Sequence, residues 1–402
     1  MARYLVEFAR GRDEEVYRGL KSLGLTPIKK TLKYWVVDAP PDLVPKIESL
    51  PGVVRVVIER TYCISSIPVE LKLSRFIEMG GPMNPAAMIW AASFRKDRWP
   101  TSESRKVLEA DIADKMGITG KGVKVAVLDT GFDSTIQKPA IDYKDSTLEG
   151  DPAPIDFNGH GSHVLTTIAG GRMPTPWGWL EGVARGVQIA SIKCLGYGVG
   201  TARTSDVIEA IASAYNYGAK IVNMSLGSDI KPGEKHDPET CPLCSLITVL
   251  SGRGVIFSIA AGNSGKGYAS CPGTSPGAIT VAALRKDLSV ADFTSREHPV
   301  YIDLRKPDLG APGVDIGSST TGLIAAMEWI DLVPKTAFIS GTSMSTPHVS
   351  GLLALWVEYA RRKGVELTRD MVMDIVGHYS SGWSPETGYG VPMFSWIVDY
   401  LR

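Results

Sequence analysis

Apolar positions change their spacing several times along the chain, and each change predicts a different kind of element. Residues 4–9 alternate as a strand. Residues 13–23 place Val16, Leu20 and Leu23 on one helical face. Residues 28–32 and 34–39 read as two further strands, 41–50 as a short helix opened by Pro-Pro-Asp, and 53–62 as a last strand. The resulting order over residues 3–62, βαββαβ, predicts a small ferredoxin-like α+β domain. Residues 63–105 lose this regularity: 79–85 (Met-Gly-Gly-Pro-Met-Asn-Pro) reads as a turn, while Met88, Ile89, Trp90 and Phe94 argue for a linker or N-terminal extension that packs at least in part. A short helix over 107–116, ended by Gly117, leads into the larger portion. There, near-continuous apolar runs at 123–128, 187–193, 220–224, 255–261 and 278–284 alternate with helical patterns such as 206–217. Short strands apolar on both faces, separated by helices, predict an α/β domain with a buried parallel sheet. The last strongly periodic stretch carries Val349, Leu352, Leu353, Trp356, Tyr359 and Ala360 at helical spacing, with Arg361, Arg362 and Lys363 before Gly364. It predicts a helix entered through Gly341-Thr342-Ser343, with Pro347 within the first turn or so, where a missing N–H costs little.

The chemistry-bearing residues sit at the ends of these elements. Asp129 closes the strand 123–128 and is followed by Thr130-Gly131. A carboxylate at the carboxyl end of a buried parallel strand points to a site, although it can also cap a helix. Residues 156–164 read Asp-Phe-Asn-Gly-His-Gly-Ser-His-Val, with His160 flanked by glycines. His160 and His163, three residues apart, could be metal ligands, but the third ligand and water-activating Glu expected beside such a pair are missing. Ser343 lies at the amino end of the last helix, where backbone N–H groups favour an oxygen that gains negative charge, and such a serine is expected to be presented at the surface. In isolation, a Ser/Thr turn before a helix is an N-cap, Gly262-Asn263-Ser264-Gly265 is an ordinary turn, and Ser225-Leu226-Gly227, directly after its strand, carries no weight; Ser270-Cys271-Pro272-Gly273 leads to the strand 278–284.

Together these stretches carry more. Gly-Thr-Ser-Met-Ser-Thr-Pro-His-Val-Ser-Gly at 341–351, Asn-Gly-His-Gly-Ser-His-Val at 158–164 and Asp129-Thr130-Gly131 fall in the chain order Asp, His, Ser, and they resemble the motifs of the subtilisin-like serine proteases. Ser345 stands where that family has a small residue, most often alanine. The resemblance spans about residues 107–402, with Lys306 to Val314 and Gly388-Tyr389-Gly390 as further landmarks. It implies a three-layer α/β/α parallel-sheet peptidase domain over 106–402, preceded by a propeptide-like inhibitory domain at 1–62. It also implies a serine endopeptidase, made as a self-processing zymogen, that acts on protein or peptide substrates through an acyl-enzyme on Ser343. His160 would be the general base, Asp129 its orienting carboxylate and Asn263 the amide donor to the oxyanion. Ser225, Leu226 and Gly227 would pair with substrate backbone. Ser270 would lie near the floor of a roomy first specificity pocket, and the lack of an acidic residue there argues against basic side chains. The chemistry needs no cofactor. Structural calcium is implied by the resemblance alone, and the loop that supplies it in many relatives is replaced here by a stretch with Thr175, Trp177 and Trp179, poor in side-chain oxygens. His163 is expected to have a packing role. A catalytically silent fold serving as a binding module is the rival from another class. An α/β-hydrolase esterase fails on both its motif and its residue order.

Composition adds limits. Lys+Arg and Asp+Glu are both 43 in 402 residues, and there is no basic run with interleaved aromatics, which excludes the usual nucleic-acid footprint. No run of ~18 apolar residues predicts a membrane span, and the amino end reads as a charged strand rather than an export signal, so a cytoplasmic location is expected unless a leader has been trimmed. The five cysteines are 63, 194, 241, 244 and 271. Cys241-Pro-Leu-Cys244 and Cys271 fall in loops that could meet. The expectation is a disulfide from Cys271 to one of the pair or within the pair, with a His/Cys₃ zinc site through His236 as the alternative.

Overall fold

The alternation in the strand Ala2–Phe8 sends its side chains to two different cores. Tyr4, Val6 and Phe8 pack with Val16 and Leu20 of the helix Asp13–Ser22 and Ile47 of the helix Val44–Glu48. Leu5 faces the other way and joins Tyr34 and Val36 in a cluster with Val207, Ile211, Leu243 and Ile247 of the larger portion. The strands order as Pro27–Thr31, Tyr34–Ala39, Ala2–Phe8, Val53–Ile58, all antiparallel, which is the ferredoxin-like arrangement. These descriptions come from a computed structural model that describes residues 1–64, 98–136, 142–147, 150, 153–175, 178–196, 198–327 and 335–402. The expected linker or extension lies, over 65–97, outside the described residues.

The single strand expected over 53–62 is two. Val53–Ile58 pairs with Ala2–Phe8, and that pairing ends where Glu59 N–H donates to Arg3 O at 2.8 Å. At Arg60 the backbone changes partners: its N–H donates to Thr204 Oγ1 at 2.9 Å and its carbonyl accepts from Thr204 N–H at 3.2 Å. Thr61–Ile64 then leaves the first sheet and runs antiparallel between Thr201–Arg203 and Leu226–Ile230. Glu59 Oε1 accepts from Ser205 N–H at 2.9 Å, placing a carboxylate at the amino end of the helix Thr204–Tyr217.

The larger portion is built on a seven-stranded parallel sheet ordered Leu309–Pro312, Ala278–Leu284, Ile256–Ala260, Ile221–Met224, Lys124–Asp129, Gln188–Lys193, Asp142–Asp145. Its inner strands are buried along nearly their whole length, as their unbroken apolar runs require. The helix expected over 107–116 is broken by Glu109 at φ 59, which separates a short helical turn from Ala110–Lys115. The helix Thr342–Arg362 is buried from Thr342 through Ala360, so the one-sided apolar face read from its spacing is really a rod enclosed on all sides. Among the described residues no helix is long and apolar enough to cross a membrane.

Enclosing this helix also encloses Glu358. Its Oε2 accepts from the N–H groups of Thr119, Gly120 and Lys121 at 2.8, 2.7 and 2.9 Å, and its other oxygen pairs with Arg362. One carboxylate thus closes the turn that feeds the strand Lys124–Asp129. Replacing Glu358 by Ala strands three amide donors, and the expected cost is about 3 kcal/mol. Denaturant titration of Glu358→Ala beside the exposed control Leu288→Ala checks this, and equal midpoints would remove Glu358 from that role.

Candidate active site

Three neighbouring strands of the parallel sheet end at one place. Lys124–Asp129 ends on Asp129, Ile221–Met224 runs into Ser225, and Ile256–Ala260 runs through Ala261-Gly262 to Asn263. Side chains carried past the carboxyl ends of adjacent parallel strands converge, which is where such sheets build sites. Asp129 Oδ1 lies 2.7 Å from His160 Nδ1 and also accepts the Thr130 N–H at 2.8 Å. His160 starts the helix His160–Ala169, and its preceding residue, Gly159, has φ 97. A Cβ on Gly161 would lie 2.3 Å from Gly131 O, so only glycine lets this helix approach Asp129 so closely. Asp156 holds the turn. Its Oδ1 accepts from Thr130 Oγ1 and Gly159 N–H, both at 2.8 Å, and its Oδ2 accepts from Ser162 N–H and Oγ at 2.8 and 2.7 Å. With Nδ1 facing the carboxylate, His160 Nε2 is buried and without a partner among the described residues.

Ser343 is the second residue of the helix Thr342–Arg362, and it is fully buried rather than presented. Its hydroxyl donates inward to Ser225 O at 2.9 Å, and the adjacent Leu226–Gly227 edge is covered by Thr61–Ile64. Pro347 lies not in the first turn but inside the helix. A helical residue there would donate its N–H to the Ser343 carbonyl, four residues back, and proline has none. Ser225 Oγ fills the vacancy, donating to Ser343 O at 3.0 Å, so Ser225 and Ser343 exchange two hydrogen bonds. Asn223 Nδ2 donates to Ser225 Oγ at 3.1 Å, and Asn223 Oδ1 accepts from Ser350 Oγ at 2.8 Å. Asn263 is fixed through its oxygen, which accepts from Thr342 N–H and Oγ1, both at 2.9 Å. Two donors on that oxygen settle the amide's orientation and leave Nδ2 a buried donor with no partner among the described residues.

A carboxylate–imidazole pair, a serine at a helix amino end and an unspent amide donor form the constellation of acyl-transfer sites. A family model described as the Subtilase family matches residues 120–390. The chain belongs to the subtilase family. It is 34% identical over 248 residues to M-protease of Shouchella clausii, covering 62% of this chain and 57% of that protein, and to Subtilisin Savinase of Lederbergia lenta, covering 62% and 81%. Serine protease AprX of Bacillus subtilis is 32% identical over 294 residues, covering 67% and 63%.

In this subtilase the strand Leu226–Ile230 is paired on both edges, with Gly227 opposite Cys63, Leu226 opposite Ile64, and Ser228 opposite Cys271. Ser270, buried, packs its hydroxyl against Gly227, where a Cβ would lie 2.0 Å from Ser270 Oγ. The loop expected to lack calcium ligands is the hairpin of Met173–Thr175 and Gly178–Leu180, where the Arg172 guanidinium sits 4.4 Å from the Trp179 ring centre. A cation stacked on an aromatic ring is a poor neighbour for a calcium ion, so the described residues there do not fit one. All five cysteines are free thiols, which corrects the expected disulfide: Cys241 and Cys271 approach to 3.6 Å without a bond. Asp156 and the Ser225 hydroxyl were not singled out from the sequence as structural supports. Their signals are an acid just ahead of a Gly-His-Gly turn, and a proline inside a helix that leaves one carbonyl in need of a donor.

Two other histidines in this region are buried and neutral. His163 Nε2 lies 3.0 Å from Ile316 O, and burial together with nearby His160 pushes its pKa down to about 3. His348 bridges Ser104 Oγ and Met344 O at 2.7 Å each, and burial pushes it down to about 4. The unfolded chain takes up these protons near pH ~6.5, so the stability they contribute is full above that pH and drains away as pH falls toward 4 and then 3. Each adds up to about 1.4 kcal/mol per pH unit to the slope. Unfolding midpoints measured between pH 7 and 4, in a Ser343→Ala background to prevent digestion, should fall less steeply in His163→Gln and His348→Gln; an unchanged slope would refute this account.

Proposed function

We propose that this subtilase is a serine endopeptidase that cuts protein and peptide substrates through an acyl-enzyme on Ser343. The observation that carries this reading is the 2.7 Å Asp129–His160 bond, which leaves a buried, unpartnered Nε2 as a ready proton acceptor. In the working enzyme Ser343 Oγ turns from Ser225 O to His160 Nε2, gives up its proton there and attacks the scissile carbonyl. Asp129 holds the imidazole in the tautomer with Nδ1 protonated and stabilises the imidazolium that forms. Asn263 Nδ2 and the Ser343 N–H take the oxyanion, and the imidazolium then returns its proton to the leaving amine. Ser225 to Gly227 bind substrate backbone, and the small Ser270, opposite Asp229 across the strand pair, lies near the floor of the first specificity pocket. Ser343→Ala and His160→Ala are expected to lose about 10⁶ in turnover, singly or together, and Asn263→Ala about 10²–10³, sizes borrowed from the same changes in subtilisin itself. Asp129→Asn should also remove nearly all activity. Peptide hydrolysis assays check this: undiminished turnover in Ser343→Ala would overturn the assignment of the nucleophile, and a wild-type chain without turnover would favour a silent binding fold.

The strand Thr61–Ile64 supports a second element of this reading, an N-terminal part that serves as propeptide and inhibitor. It adds to the Leu226–Gly227 edge by β-augmentation, as a bound substrate would. Ile64 N–H donates to Gly200 O at 3.1 Å, and Tyr62 is buried beneath it. We propose that the chain cuts itself between Tyr62 and Arg105, and that the freed product stays bound through Thr61–Ile64. Tethering gives the high effective concentration that a first, intramolecular cut needs. Intact mass and N-terminal sequencing should find the wild-type chain shortened and Ser343→Ala still at 43.3 kDa. An uncut wild-type chain as active as one that begins near residue 105 would overturn the propeptide role.

A further inference from the structure

His236, Cys241, Cys244 and Cys271 come from three separate stretches of chain and bring their donor atoms together, all within 4.8 Å of one another. Cys241 is the residue before the helix Pro242–Ser251 and Cys244 lies in its first turn, so the Cys-x-x-Cys spacing puts both sulfurs on one side of the helix start. Cys271 ends the strand Lys266–Cys271, and His236 belongs to the loop ahead of Cys241. Cys241 Sγ to Cys271 Sγ is 3.6 Å, Cys244 Sγ to Cys271 Sγ is 3.8 Å, and Cys244 Sγ to His236 Nε2 is 3.6 Å. A tetrahedral zinc ion with bonds of ~2.3 Å to sulfur and ~2.0–2.1 Å to nitrogen sets its ligands about 3.8 Å apart for two sulfurs and about 3.6 Å for sulfur and nitrogen. We propose that these four side chains form a closed structural zinc site.

The chemistry balances without oxidation. Three thiols release their protons to solvent and bind as thiolates, and neutral His236 binds through Nε2. A disulfide would need an oxidant and would leave the third thiol and the imidazole converging on nothing. The helix amino end beside Cys241 and Cys244 offers N–H groups to the thiolate charge, and Thr274 Oγ1, 3.4 Å from Cys244 Sγ, supplies a further hydrogen bond. A cavity of about 210 Å³, lined in part by His236, Cys241, Arg60 and Tyr62, gives an ion a way in. With four protein ligands no position is left open, so the role is structural and not catalytic.

The site braces the substrate edge and the seat of the N-terminal part at once. Cys271 pairs with Ser228 on the strand whose other edge holds Thr61–Ile64, and the Tyr62 hydroxyl lies 3.6 Å from Cys271 Sγ. The His236 loop also carries Thr240, whose carbonyl accepts from Arg55 at 2.6 Å, and Glu234, which pairs with Arg60 at 3.2 Å. The experiment uses the full-length Ser343→Ala chain, untagged and reduced, so it does not depend on peptidase activity. Elemental analysis should find one zinc per chain, and cobalt(II) added to the stripped protein should give thiolate charge-transfer and strong tetrahedral d–d bands. Cys244→Ser and His236→Ala should lose stoichiometric zinc, and a chelator should lower the melting temperature of the parent but not of these variants. His236→Ala changes a partly exposed loop residue and leaves the buried cysteines intact, so a folded variant is available. Failure of the stripped parent to take up zinc(II), cobalt(II) spectra without thiolate bands, or a native disulfide at Cys271 would each overturn the proposal.

Discussion

Everything at the site depends on how the first turn of one buried helix is tied to the ends of three strands. The helix Thr342–Arg362 has no solvent face through Ala360, so its amino end cannot satisfy its groups with water and takes partners from the sheet. Asn263 accepts the Thr342 donors, and Ser225 exchanges two hydrogen bonds with Ser343. Pro347 makes that exchange necessary by withholding the N–H that Ser343 O would otherwise use. The residue that departs from helical regularity therefore supplies the attachment point that positions the serine.

The same region gathers several buried polar atoms that the fold leaves without a partner. His160 Nε2, Asp129 Oδ2 and Asn263 Nδ2 are all buried without a partner among the described residues. Each such group costs on the order of 1–3 kcal/mol, and their gathering within one site is the mark of groups kept free for a ligand. The surrounding core offsets that cost. Around it, Asp156 and Glu358 spend single carboxylates on several backbone and hydroxyl donors each, which stiffens the turns carrying His160 and the strand of Asp129.

The N-terminal sheet meets the larger portion through apolar contact and through strand addition. Leu5, Tyr34 and Val36 give it a second apolar face, while Lys29 pairs with Asp206 at 2.6 Å and Glu59 caps the same helix. These anchors set the direction in which Thr61–Ile64 leaves, and that direction is along the Leu226–Gly227 edge.

Much of this was legible in the residues. Unbroken apolar runs marked the parallel strands because burial on both faces removes alternation, and the glycine-flanked His160 and the turn into Ser343 carried their chemistry in their local composition. The ferredoxin-like order of residues 3–62 could be read from period alone. Other features could not. Whether 53–62 is one strand or two turns on Thr204, more than 140 positions away, accepting the backbone at Arg60. Ser343 reads as a presented hydroxyl until the Ser225 carbonyl and the covering strand are in place. The cysteine spacing put a disulfide ahead of a metal, because spacing does not show whether His236 reaches the sulfurs. Local periodicity is a property of neighbouring residues, and sequence displays it directly; the partner of a backbone group, the burial of a hydroxyl and the meeting of distant side chains are properties of the packed chain, and only the tertiary structure decides them.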